Sequence, residues 1–149
     1  MAVGLGPGSY AGVRSAISVA EGWQLARELP VTGVSSMEIL AEEARLSGHR
    51  GDYRLVIDAQ RGEVYTAVYR LTEKFCQPIE ELRIAAPEPW PKVLGPEAPK
   101  FVPGAEVLFP SATTLGRMAR GKPPGRAEEL QPIYLRVASF VKAPPAKNY

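Results

Sequence analysis

The sequence is short of the residues that usually carry catalysis or covalent cross-links. It has one cysteine, Cys76, and one histidine, His49, in 149 residues. A lone cysteine cannot form an internal disulfide, so nothing indicates an oxidising compartment. A catalytic thiol needs a nearby base, and His49 lies in a polar stretch, so we interpret both residues as structural. A zinc site, which needs several such ligands, is not expected.

Long apolar runs and internal repeats are also missing. A membrane-spanning helix needs about 18 or more consecutive apolar residues, and the start MAVGLGPGSY resembles no signal peptide. We therefore expect a soluble, cytoplasmic protein that does not associate with a membrane. Hydrophobic residues make up 45% and charged residues 23% of the chain, which is typical of a globular protein.

Positive charge is concentrated near the carboxyl end. The net charge is +2, but from residue 117 onward seven Lys and Arg side chains stand against two Glu, a local charge of +5. Such a segment could contact the phosphate backbone of a nucleic acid. It could equally be a solvated tail, and the composition leaves both interpretations open.

The first third of the chain alternates short apolar strands with amphipathic helices. Apolar residues recur at intervals of three and four from residue 10 onward, which predicts a helix. These apolar residues are Val13, Ala16, Ile17, Ala20 and Trp23. The predicted elements are a strand over 1–5, a helix over 10–28, a strand over 30–34 and a helix from Ser35 or Ser36 to Gly48 with a stripe of Met37, Leu40, Ala41 and Ala44.

A polar hinge at 47–52 precedes a region of β-type pattern. Runs rich in Val, Ile and Tyr over 53–59 and 63–71 flank a short Gln-Arg-Gly turn, which predicts a hairpin. Further strands are predicted over 82–85, 107–109 and 133–141, with a helix over 113–120 capped by Ser111. The proline-rich stretch 87–103 can hold only short elements. The fold class is therefore α/β.

Two local motifs have more than one interpretation. The loop Gly6-Pro7-Gly8-Ser9 joins a strand to a helix, and it could bind an anion through exposed amides or be a tight structural turn; it lacks the lysine of a Walker loop. Asp58, Arg61 and Glu63 surround the hairpin turn and could serve acid–base or metal chemistry. Alternatively they are turn residues, with Arg61 paired to either acid at the surface. Tyr65 and Trp23 are interpreted as core or interface aromatics.

Four segments in the same order resemble the successive signatures of the TsaB/YeaZ family. They are GPGSYAGVRS at 6–15, PVTGVSSMEILA at 30–41, VIDAQRGEVY at 56–65 and PIYLR at 132–136. The resemblance implies the ribonuclease-H-like lobes of the actin-like ATPase superfamily. In that family the opening third, a β-meander and a helix, precedes the first of these segments, and this sequence lacks it. We therefore expect residues 1–47 to be the remnant of an incomplete first lobe and 48–149 to be the second lobe with a basic tail.

The resemblance implies a role rather than a reaction. TsaB-like proteins bind and support the TsaD-like paralogue that transfers a threonylcarbamoyl group to the adenosine next to the anticodon of tRNA. We accordingly expect a non-catalytic scaffold, with ATP and metal bound by the partner, no cofactor or metal on this chain, and weak or indirect contact with tRNA. The motif expected to shape the interface helix comprises Gly6, Pro7, Gly8, Ser9, Gly12 and Arg14, with Ile17 and Trp23 on that helix.

Three other expectations accompany this role. The partners are the TsaD-like paralogue and other members of the threonylcarbamoyl complex. A homodimer is also expected, because the apolar stripe on the helix over 10–28 would lose the cover that relatives provide. The alternative functions are a glycoprotease-like or nucleotide hydrolase, or a degenerate fragment that only self-associates.

Overall fold

The computed structural model describes residues 1–126 and 130–136. Within these residues it contains, in chain order, β1 (Ala2–Gly4), α1 (Tyr10–Arg27), β2 (Thr32–Val34), α2 (Ser36–Leu46), β3 (Gly51–Asp58), β4 (Val64–Leu71), β5 (Cys76–Ala85), β6 (Val93–Gly95), α3 (Ala98–Phe101), β7 (Glu106–Val107) and α4 (Ala112–Ala119).

The strands form two sheets. β1 and β2 pair in parallel as a two-stranded sheet. The larger sheet has the order β5-β4-β3-β6-β7. The pairs β3–β4 and β4–β5 are antiparallel, whereas the pairs β3–β6 and β6–β7 are parallel. The predicted hairpin is β3–β4, with Gly51 opposite Leu71 and Asp58 opposite Val64. The predicted α/β class is confirmed.

Helix α2 covers one face of the larger sheet. Ser35 caps the helix by accepting a hydrogen bond from the Met37 N–H at 3.2 Å, as the sequence predicts. All four residues of its predicted stripe are buried, and they pack against Leu55, Ala67 and Leu71 of β3 and β4. This contact is the main hydrophobic core of the described chain.

Helix α1 covers the small sheet with only part of its predicted stripe. Ile17 and Ala20 are buried against Val3 and Val31, whereas the Trp23 side chain is 51% exposed. At 3.6 residues per turn Trp23 lies about 120° round the helix from Ile17, so the two cannot share one face. The interface predicted at Ile17 is wrong, because this side chain is in the core of its own chain.

Helix α4 joins the two parts of the fold. It packs against β1, β2 and α2. The Glu43 carboxylate of α2 accepts hydrogen bonds from the hydroxyls of Ser111 and Thr114 at the start of α4. Lys122 lies 2.6 Å from Glu38 of α2. The division into lobes at residue 47 stays a prediction.

Three predicted strands differ from the structure. The strand predicted over 107–109 is β7, which ends at Val107. β5 begins at Cys76 rather than at residue 82. Pro78 and several polar residues interrupt the strand pattern in its first half, so the sequence does not predict a strand there. A proline is tolerated at this position because β5 is an edge strand. Residues 133–136 of the predicted closing strand are not in a strand, while 137–141 lie outside the described residues.

Gly95 gives a test of this packing. A Cβ added at Gly95 would lie 2.0 Å from the Val56 carbonyl oxygen. We expect Gly95→Ala to lower the free energy of unfolding by at least about 2 kcal/mol, because the backbone of β3 cannot move aside. Gly116→Ala is the control, since nothing lies within 4 Å of its added Cβ. Urea denaturation of both variants checks this, and an unchanged Gly95→Ala midpoint would contradict it.

Candidate functional site

Three of the four signature segments meet at one cleft. It has a volume of about 710 Å³ and is lined by the start of α1, by the β3–β4 corner and by the segment at 134–136. The lining residues are Gly8, Ser9, Tyr10, Ala11, Asp58, Ala59, Gln60, Arg61, Tyr65, Tyr134 and Arg136.

The turn after β1 is held from two sides. The Ser36 N–H donates to the Gly6 carbonyl at 2.7 Å, and the Leu5 N–H donates to the Val34 carbonyl at 2.9 Å. Gly6 has a φ of +85°, and a Cβ there would meet Val13 at 3.3 Å. Glycine is required at this position because side chains rarely adopt that backbone conformation.

Ser9 caps helix α1 at the wall of the cleft. Its hydroxyl accepts a hydrogen bond from the Gly12 N–H at 3.4 Å, and its carbonyl accepts one from Val13 at 2.9 Å. Within the described residues the N–H groups of Tyr10 and Ala11 have no hydrogen-bond partner. The first turn has no acidic residue, so this helix end is electropositive. Ser9 therefore acts as a helix cap, and the next two backbone N–H groups are left without acceptors among the described residues.

Two tyrosines stand together at the mouth of the cleft. The rings of Tyr10 and Tyr134 stack with centroids 5.2 Å apart. Arg14 donates a hydrogen bond to the Tyr10 hydroxyl at 2.8 Å, and its guanidinium lies over the ring of the same tyrosine. Neither tyrosine was predicted as a site residue, because no pattern other than membership of the signature segments marks them.

The β3–β4 corner is a tight turn of left-handed residues. Gln60, Arg61 and Gly62 have φ values of 65°, 60° and 78°. The Ala59 N–H donates to the Glu63 carbonyl at 3.0 Å and closes the turn. Left-handed backbone costs a non-glycine residue about 1–2 kcal/mol, and strain of this kind clusters at functional sites. The turn directs Arg61 to solvent at the cleft.

The two acids of the corner find partners far away in sequence. Asp58 lies 3.2 Å from Lys100, and Glu63 forms an ion pair with Arg136. Arg61 has no ion-pair partner in the described part of the chain. The predicted pairing of Arg61 with Asp58 or Glu63 is therefore wrong, because both acids are engaged by more distant residues.

The carboxylate of Asp58 is held in its charged form. Burial alone would raise its pKa, but the Gln60 N–H, at 2.6 Å, and Lys100 outweigh burial and hold the pKa below the ordinary value of 3.8. Each of its two oxygens thus accepts one hydrogen bond, Oδ1 from the Gln60 N–H and Oδ2 from Lys100. Tyr65 is half-buried and lines the cleft while also packing on the main core.

Two predicted residues lie away from the cleft. Trp23 borders a shallow apolar depression on α1 that is lined by Val19, Gly22, Trp23, Ala26 and Arg27. Ile17 belongs to neither surface.

Cys76 and His49 are structural, as predicted. The Cys76 thiol donates to the Ala41 carbonyl at 3.3 Å, and burial raises its pKa to about 12, so it is not a nucleophile at neutral pH. His49 is bonded to Ala44 and to Glu106.

The described residues hold neither a cluster of metal ligands nor a membrane-spanning helix. Across 1–126 and 130–136, no three His, Cys, Asp or Glu side chains are grouped to hold a metal ion. No helix in the same ranges has the length and apolar content to cross a membrane.

The charged state of Asp58 makes stability depend on pH. Because its folded pKa is depressed, its stabilisation is present above about pH 4 and is lost as the pH falls through the folded value. We expect Asp58→Asn to lower the free energy of unfolding by about 1 kcal/mol at pH 7, and we expect its difference from the wild type to be smaller near pH 2. Urea denaturation at both pH values measures this. Asp52→Asn, which breaks a more exposed pair with Arg70, should change less; equal effects at both sites would refute the account.

Comparison with known proteins places the chain in a family. Residues 1–109 match the family model described as TsaD, tRNA N6-adenosine threonylcarbamoyltransferase. The chain is 32% identical to the tRNA threonylcarbamoyladenosine biosynthesis protein TsaB of Escherichia coli, over 99% of this chain and 75% of that protein. It is 40% identical over 68 residues to TsaB of Bacillus subtilis, which covers 46% of this chain and 29% of that protein.

Solved structures agree with the sequence matches. YeaZ from Pseudomonas aeruginosa has a TM-score of 0.72 and 30% identity, over 90% of this chain and 73% of that chain. A second structure, of an uncharacterized protein similar to the peptidase YeaZ from the same organism, has a TM-score of 0.74 and 30% identity, over 91% of this chain and 72% of that chain. The chain therefore belongs to the TsaB/YeaZ family, and its mixed α/β fold matches the YeaZ structures and the actin-like fold of the TsaD type.

Proposed function

We propose that this chain is a non-catalytic scaffold and activating partner of a TsaD-like transferase that modifies tRNA with threonylcarbamoyladenosine. Family membership supports the pathway, and the exposed face of α1 supports the role of a partner. On this proposal, ATP and metal bind the transferase, and the chemistry takes place there in the cytoplasm.

The outer face of α1 has the composition of a helix-packing surface. Val19 is 58% and Trp23 51% exposed, and Gly22 and Ala26 line the same depression. Small residues four positions apart let another helix approach closely, and exposed tryptophan is enriched at binding hot spots. A contiguous apolar surface of this kind marks an interface. This face is the single observation that carries the proposal.

The groups that could do chemistry are already engaged within the fold. Asp58 and Glu63 are bonded to Lys100 and Arg136, and the Cys76 thiol is kept protonated by burial. None of the three is poised as a base or a nucleophile. These contacts favour a supporting role over the alternative of a glycoprotease-like or nucleotide hydrolase.

The same α1 face can also pair with a second copy. A two-fold homodimer would cover the Trp23 surface by self-complementarity, and we propose it as the resting state that the TsaD-like paralogue replaces. If the chain only self-associates, it is the degenerate fragment rather than a partner.

Contact with tRNA is proposed to be weak and electrostatic. Of the basic residues from 117 onward, Lys122 and Arg136 are already in ion pairs, whereas Arg117 and Arg120 are exposed on α4 and at its end. The charge that can meet phosphate is therefore smaller than the sequence count, and binding that depends on it falls steeply with salt.

The scaffold proposal is tested at Trp23. We expect Trp23→Asp to weaken binding of the TsaD-like paralogue by at least tenfold, because a charge would be buried in an apolar contact. Formation of threonylcarbamoyladenosine by the reconstituted pair should fall in step. Titration calorimetry measures the binding and a modification assay on tRNA measures the activity. Sedimentation measures whether the variant still forms the homodimer.

The matched control is Leu25→Asp. Leu25 is 81% exposed on α1 but lies about 160° round the helix from Trp23, so the variant should bind normally. Equal loss in both variants, or full binding by Trp23→Asp, would refute the docking face. Modification by this chain without the paralogue would refute the non-catalytic role.

A further inference from the structure

We propose that the open edge of β1 pairs with the same edge of a second copy of the chain, antiparallel and with the two copies of Val3 opposite each other. This pairing rests on the homodimer proposed above and names the backbone surface that joins its two copies. It does not rest on the role of the chain in tRNA modification.

The backbone of β1 is hydrogen-bonded on one side only. The Leu5 N–H donates to the Val34 carbonyl of β2 at 2.9 Å, and Val3, two residues earlier, faces β2 in the same way because alternate residues of a strand direct their backbone groups to opposite sides. Ala2 and Gly4 therefore present their N–H and carbonyl groups to the other side. In the described part of the chain, β2 is the only strand that pairs with β1.

The β1 edge has none of the features that keep the other edges from pairing. β5 carries Pro78, several charged residues and breaks in its register with β4, and β7 is only two residues long. Residues 1–5 contain no proline and no charged side chain, and no bulge interrupts the pairing of β1 with β2. A strand edge of this kind is a template for another strand.

A second copy of β1 matches the pattern of this edge. About a two-fold axis at Val3, Ala2 of each copy lies opposite Gly4 of the other. Each copy offers two N–H and two carbonyl groups, so the two copies together form four hydrogen bonds and leave none of these groups unpaired. One surface thus satisfies itself, which is the property of a closed two-fold contact.

Both faces of β1 accommodate this pairing. Toward α1, Val3 is buried with Ile17, so two copies of Val3 at the axis continue this core from one copy into the other. On the opposite face nothing lies within 4 Å of a Cβ added at Gly4, and Ala2 borders a groove of about 430 Å³ beside α4. Because the axis is perpendicular to the sheet, α1 of both copies lies on the same face, as contact through Trp23 also requires.

Gly4→Pro tests the hydrogen bonds across the axis. Proline removes the N–H that faces the open edge but no bond to β2. Sedimentation equilibrium of the full chain should give a dimer dissociation constant at least tenfold higher for Gly4→Pro than for the wild type. Gly4→Ala is the matched control, because it keeps the N–H and its Cβ meets nothing within 4 Å; its dissociation constant should equal that of the wild type.

Val3→Cys tests the register of the pairing. Opposed residues at a position without hydrogen bonds have Cα atoms about 4.5 Å apart, which a disulfide spans, so mild oxidation should link the two copies. Thr32→Cys of β2 is the control, since its two copies would lie three strand spacings apart, roughly 14 Å, too far for a disulfide. Cys76 is present in both variants, so any linkage through it is common to the two.

Weakening by Gly4→Pro together with selective linkage of Val3→Cys supports the proposal. A monomeric wild type, linkage of both cysteine variants alike, or a Val3→Cys dimer that does not link overturns it. If urea denaturation shows that Gly4→Pro does not fold, the cross-linking result alone decides. Binding of the TsaD-like paralogue by the wild type, measured alongside, keeps failure of the strand pairing separate from failure of the scaffold proposal.

Discussion

The hydrogen bonds of Leu5 and Gly6 connect four separate parts of the chain. Leu5 donates to β2 and accepts from Ile133, while Gly6 accepts from Ser36 at the start of α2. Only a few residues later Ser9 caps α1. A single turn therefore sets the start of α1 relative to β2, α2 and the segment at 130–136. Because Gly6 has a φ of +85° and is closely approached by Val13, this arrangement depends on glycine.

The positions of the cleft and of the exposed apolar depression follow from how that turn places α1. The start of the helix forms one wall of the cleft, together with the β3–β4 corner. Its buried side, with Ile17 and Ala20, fixes the helix on the small sheet, and its outer side leaves Trp23 exposed beside the apolar depression.

Local features of the fold were predictable from sequence, and distant pairings were not. The caps Ser35 and Ser111 and the β3–β4 hairpin follow from side-chain and turn chemistry within a few residues. The partners of the corner acids could not be found this way, because Lys100 lies 42 residues from Asp58 and Arg136 lies 73 residues from Glu63. The spacing of Trp23 fits the predicted apolar stripe of α1. Which face of α1 is covered, however, depends on the position of the small sheet, and the sequence pattern does not give that position. The cleft was not predicted from the sequence. The resemblance marked GPGSYAGVRS as an interface motif, and a glycine-rich turn has a structural explanation as well.

The central claim is that the outer face of α1 docks the TsaD-like paralogue. Amide hydrogen exchange of the chain, alone and with the paralogue, tests it without any substitution. The account predicts that exchange slows on binding over residues 19–27, where the apolar depression lies, and is unchanged along β5, the open edge of the large sheet. A complex that forms while 19–27 exchanges as in the free chain, with protection confined to β5, would contradict it.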